Sequence, residues 1–109
     1  FSIAVGYSNL KSSSINALSA LQIESHMGSL PGWTFEADSL KKTYSFGSFR
    51  EAMSFLVRIG FEAEELNHHP ELFNVYSTVT VTLRTHDAGN KVTDKDIDLA
   101  TRLERIAWI

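Results

Sequence analysis

Two histidines stand side by side in the run Glu64-Glu65-Leu66-Asn67-His68-His69-Pro70, and a third, His86, follows further along the chain. Histidine is the side chain whose unperturbed pKa, about 6.5, suits proton transfer near neutrality. Three chemistries compete for such a set. Imidazoles suit zinc, and three of them can hold it. They can instead satisfy backbone groups around a tight turn, in a protein that acts only as an interaction module. Or they can serve as general acids and bases. Metal binding is the poorest fit, because the chain has no Cys, lacks a His-x-x-x-His spacing, and carries His68 and His69 as neighbours. Spacing alone leaves the other two open.

The elements around these residues decide where they point. Pro70 cannot continue an α-helix and pushes His69 towards extended geometry, so the pair is predicted on a turn. The run from Thr78 to Thr85 alternates like a half-buried strand and is predicted to end at His86. Val79, Val81 and Leu83 point one way; Thr78, Thr80, Thr82, Arg84 and His86 point the other. Ser48 and Glu51 read as a capping box that opens the longest helix, over 49–66. Phe49, Ala52, Met53, Leu56, Ile59, Gly60 and Ala63 make its core stripe. Phe55 and Phe61 fall off that stripe, on a partner surface or the margin of a broad one. Gly60 reads as close packing on a sheet. Glu64 and Glu65 oppose the helix dipole, and Glu64 is placed to set the tautomer of an imidazole.

Elsewhere, Ser14 is the expected N-cap of a helix over 15–27, with Ala17, Ala20, Leu21, Glu24 and Met27 on one face. His26 reads as a surface residue near its end. Gly28 and Leu30-Pro31-Gly32 break the helix. Strands are predicted over 33–37 and 40–46, joined by Asp38-Ser39, and over 73–76 and 77–85. Trp33 is expected in the core or an interface. Thr93 and Asp96 form another box-like start, for a helix over 94–107 with Ile97, Ala100, Leu103 and Ala107 on one stripe. Asp96 is first of all a first-turn acid. The order predicts an α+β fold: a four-stranded antiparallel sheet with three helices packed on one face. One domain over 14–109 is expected, after an extension over 1–13.

With 109 residues the chain suits a single modest core, and an apolar fraction of 43% is ordinary for a globular protein. A net charge of −3 without a basic cluster argues against direct nucleic-acid binding. No apolar run approaches membrane-spanning length. The absence of cysteine leaves a reducing compartment open, and the expected location is the cytoplasm, with the nucleus and organelles left open. Phe1 in place of Met suggests a trimmed or processed form, and the first residues do not read as an intact signal peptide.

The segment from Glu64 to Asp96 resembles the signature of the pterin-4a-carbinolamine dehydratases, also called the dimerisation cofactor family. That signature is an acid, three residues, His-His-Pro, five residues, an aromatic, nine residues, a histidine, and later an aspartate. Here the positions read Glu64, His68-His69-Pro70, Tyr76, His86 and Asp96. Asn67, Phe73-Asn74-Val75 and Asp96-Ile97-Asp98-Leu99-Ala100 are similar to the family as well. The resemblance implies the α+β architecture above, with a sheet edge and helices used for dimers or tetramers. It implies a lyase that dehydrates 4a-hydroxytetrahydropterin to quinonoid dihydropterin in tetrahydrobiopterin recycling. His68 and His86 would be the acid/base pair, with His69 binding and orienting the pterin. Asn67, Arg84, Thr85 and Asp87 flank these positions as candidate pterin contacts. Glu64, Pro70, Asp96 and Trp33 would support the site. No metal and no cofactor are expected, since the pterin is the substrate. Animal members also bind a homeodomain transcription activator, so a dimerisation module is the alternative. The loop Asp87-Ala88-Gly89-Asn90-Lys91-Val92-Thr93 is longer than in many relatives, and Lys91 reads as a surface charge or a cover over the site mouth.

Overall fold

A computed structural model describes residues 2–4 and 16–107. The expected sheet of four antiparallel strands is formed by β2 (Thr34–Glu36), β3 (Ser39–Ser45), β4 (Glu71–Val75) and β5 (Thr78–Leu83). The three helices are α1 (Ala20–Met27), α2 (Phe49–Leu66) and α3 (Asp94–Ile106). Part of the expected extension joins the sheet: β1 (Ser2–Ala4) pairs antiparallel with β4, giving the order β1-β4-β5-β3-β2. Both hairpins turn in two residues. Ala37 and Asp38 take φ of 50° and 58°, so the first turn lies one residue before the predicted Asp38-Ser39.

The core lies between one sheet face and the helices. Leu40, Tyr44, Val79, Val81 and Leu83 meet Phe55, Ile59, Leu99, Ala100 and Leu103, all buried. The period-2 burial of β5 matches its sequence alternation. Helix α1 departs from its predicted start. Residues 16–19 are not helical, and Ser14 and Ile15 lie outside the described residues. Ser19 is the N-cap, in a complete capping box with Gln22. The buried residue of α1 is Ile23, while Leu21 is exposed, so the predicted face is replaced.

In α2 the wide stripe is centred on Phe55, which is fully buried against Tyr44 and Phe46; Phe49 is exposed instead. The Ser48 hydroxyl accepts from the Glu51 N–H, but Glu51 returns to that hydroxyl rather than to the backbone. Gly60 does not pack on the sheet. It is exposed, and a Cβ built there meets nothing within 4 Å. Gly60→Ala is therefore expected to stabilise the fold by about 0.5–1 kcal/mol, because it restricts the unfolded chain at a helical position without a clash. A urea midpoint that falls instead would mean that something packs closely on this glycine.

Candidate active site

The C-terminus of α2 delivers the two histidines. Asn67 stands at φ 50°, ψ 45°, the left-handed conformation that asparagine tolerates. Its N–H donates to Glu64 O at 3.1 Å and the His68 N–H to Ala63 O at 3.0 Å, the paired bonds of a Schellman motif. Asn67 is thus the residue that turns the chain, with its side chain exposed. Buried Pro70 then enters β4. The reversal sends the adjacent imidazoles into different surroundings. His68 is 1% exposed, whereas the His69 side chain keeps 19% of its surface.

His68 Nε2 lies 2.5 Å from Asp96 Oδ1, and Asp96 is 0% exposed. The other carboxylate oxygen of Asp96 accepts from the Thr85 hydroxyl at 2.8 Å and from the Thr93 N–H at 2.9 Å. Thr93 and Asp96 complete the predicted capping box of α3. The same carboxylate therefore caps α3 and holds His68. A carboxylate out of water needs such donors.

His69 Nε2 contacts Glu64 Oε1 at 3.2 Å, so Glu64 engages an imidazole as its position suggested. With Glu64 accepting, a neutral His69 ring carries its proton on Nε2 and its lone pair on Nδ1. That Nδ1 is enclosed and has no hydrogen-bond partner among the described residues. His86 does not end the strand. β5 stops at Leu83, and half-buried His86 opens a short 3₁₀ turn, His86–Ala88, closed by Gly89 at φ 72°.

The remaining expected residues divide. Thr85 is fully buried with every polar atom engaged inside the chain. Its N–H donates to Lys91 O, its carbonyl accepts from Ala88 and Asn90, and its hydroxyl joins Thr93 and Asp96. The expected pterin contact from Thr85 thus gives way to support of Asp96. Arg84 pairs with Glu71, with Nε 2.9 Å from Oε2, an ion pair lacking hydrogen-bond alignment at that nitrogen. Asp87 is exposed on the 3₁₀ turn. Lys91 reaches Asp38 in the β2–β3 turn at 2.7 Å, which ties the long loop to the hairpin.

Trp33 lies just outside β2 and donates its indole N–H to Glu104 Oε2 at 3.1 Å. Lys42 at 2.7 Å and the Tyr44 hydroxyl converge on the same oxygen. Burial would push the Glu104 carboxyl up, but these donors outweigh it and hold it below its usual range. Burial first, then Glu104, pushes the Tyr44 phenol well above its ordinary value. This cluster joins α3 to β3, and no motif announced it. Thr93 was expected only as a cap; its link to Thr85 left no signal beyond two hydroxyls eight residues apart.

Among the described residues no group of three His, Asp or Glu side chains is placed to hold a metal ion, and no helix is long and apolar enough to cross a membrane.

The family model described as pterin 4 alpha carbinolamine dehydratase matches residues 16–106. A protein of Opitutus terrae, provisionally named a pterin-4-alpha-carbinolamine dehydratase, is 62% identical over 84% of this chain and 95% of its own. One of Rhizobium leguminosarum bv. trifolii with the same provisional name is 49% identical over 78% of this chain and 85% of its own. A crystal structure of a transcriptional coactivator/pterin dehydratase from Brucella melitensis superposes with a TM-score of 0.81 at 35% identity, over 85% of this chain and all of that one. The likeness in sequence and in fold spans the helices, the hairpins and the histidine turn together, and the chain belongs to the pterin 4 alpha carbinolamine dehydratase family.

Proposed function

We propose that the chain dehydrates a 4a-hydroxytetrahydropterin to the quinonoid dihydropterin, with His68 and His86 as the acid/base pair and His69 as the residue that binds and orients the pterin. One observation carries the reading. In a chain of this family, His68 is locked to a buried carboxylate beside a second imidazole whose enclosed Nδ1 lacks a partner. The chemistry asks for little more. Hydroxide leaves C4a poorly unless a proton reaches the oxygen, and the N5 proton must depart as the C=N bond forms. Positioned acids and bases suffice, each worth about 10²–10⁴-fold. The reaction needs neither redox cofactor nor metal. His69 Nδ1, held as an acceptor by Glu64, is suited to an N–H of the pterin.

Turnover of synthetic 4a-carbinolamine above the uncatalysed rate tests the reading, and no acceleration would refute it. His69→Ala is expected to raise KM several-fold, about one lost hydrogen bond, with kcat little changed. A fall confined to kcat would promote His69 to catalyst.

A second reading, a dimerisation module for a transcription activator, is favoured by the exposed Val57 and Phe61 on α2, which is 72% exposed at Phe61. The same apolar stripe suits a homo-oligomer, dimer or tetramer. Activator binding by a protein without turnover would favour the module.

A further inference from the structure

We propose that Thr85 and Thr93 are positioning residues for this reaction: a one-way hydrogen-bond chain from Thr93 through Thr85 to Asp96 fixes His68 in one tautomer, with Nδ1 as its basic atom. The inference rests on the dehydratase reading for its kinetic part only.

The direction of every bond follows from what each group can do. An ionised carboxylate only accepts. Thr85 Oγ1, 2.8 Å from Asp96 Oδ2, therefore donates its single proton there. Thr93 Oγ1 lies 2.7 Å from Thr85 Oγ1, whose proton is already committed, so Thr93 donates to Thr85. Thr93 Oγ1 in turn accepts from the Lys95 N–H at 3.2 Å. The Thr93 N–H adds a second donor to Asp96 Oδ2 at 2.9 Å. Two donors from two different elements thus fix the plane of the carboxylate. Its other oxygen, Oδ1, is presented to His68 Nε2 at 2.5 Å. Because Oδ1 accepts, Nε2 carries the proton, and the neutral ring has its lone pair on Nδ1. When Nδ1 takes a proton, Asp96 stabilises the resulting cation.

Burial makes the chain decisive. Thr85, Thr93, Asp96 and His68 are each no more than 2% exposed, so water cannot replace a missing donor. A capping box for α3 needs only Thr93 and Asp96. Thr85 comes from beyond the end of β5 and is surplus to the cap. Its presence is explained by what it does to Asp96.

The test is the ¹⁵N spectrum of histidine-labelled full chain at a pH where imidazole is neutral, with kinetics on the same samples. Wild type is expected to show His68 protonated on Nε2. Thr85→Val is expected to mix the tautomers and lower kcat roughly 10-fold with KM unchanged. Thr85→Ser, which keeps the hydroxyl, should restore both. An Nδ1-protonated His68 in wild type overturns the proposal, and that spectrum decides alone if Thr85→Val fails to fold. So does a Thr85→Val variant with native tautomer and kcat, or one altered only in KM. A wild type inactive on 4a-carbinolamine refutes the reaction, while its spectrum still reports on the chain.

Discussion

Asp96→Ala is expected to lower the unfolding free energy by about 3–5 kcal/mol, because several buried donors lose one shared acceptor. Three donors lose their acceptor together: His68 Nε2, the Thr85 hydroxyl and the Thr93 N–H. A buried donor left unsatisfied costs about 1–3 kcal/mol, and none of these can turn to water. The same change removes the Asp96 arm of the α3 capping box, while the N-cap itself, Thr93, stays in place. These effects overlap and do not simply add. Against a total stability of roughly 5–15 kcal/mol, a loss of this size brings the fold near its limit. Urea denaturation should show a lower midpoint with the slope preserved. A loss under about 1 kcal/mol would mean that the network relaxes and finds other acceptors.

What the sequence disclosed and what it hid follow from the range of the forces involved. Helix α2 was legible at both ends because its signals are local: Ser48 caps it, and Pro70 bars its continuation. β5 was legible because three buried residues alternate with threonines. The start of α1 departs from the expected Ser14 although its signal is local too: Ser19 with Gln22 three residues on is a capping box written in the sequence. Phe55 and Phe49 exchanged roles because periodicity gives the width of a stripe better than its centre. Gly60 misled because a helix glycine suggests close packing, and only the fold shows open space above it.

The candidate site was legible as a set of residues and not as a network. The motif brings together His68, His69, His86 and Asp96, and local rules put His68 and His69 on a turn. Nothing in two adjacent histidines tells which is buried. That is settled by the left-handed Asn67 and by the carboxylate waiting on α3, 28 positions along the chain. Trp33 and Glu104 are 71 positions apart, and their hydrogen bond has no local trace.

His68→Ala and His86→Ala are each expected to lower kcat/KM by about 10²-fold or more, as loss of a general acid or base does. The two variants should part company in stability. Both histidines lie outside the apolar stripes, which on the sequence alone suggests an undisturbed fold for either change. The structure revises that for His68. Its removal strands Asp96 Oδ1 in an interior where both residues are at most 1% exposed. A buried group so deprived costs about 1–3 kcal/mol, and the vacated ring volume adds to it. His86 stands half-buried on the 3₁₀ turn, outside the core, so His86→Ala should unfold close to wild type. Circular dichroism should be native for both below their transitions, and rates should be compared there. The contrast separates chemistry from packing: His86→Ala loses activity without losing stability. Wild-type rates in either variant would remove that residue from the acid/base pair. Equal destabilisation of both would show that His86, too, is held in a buried network.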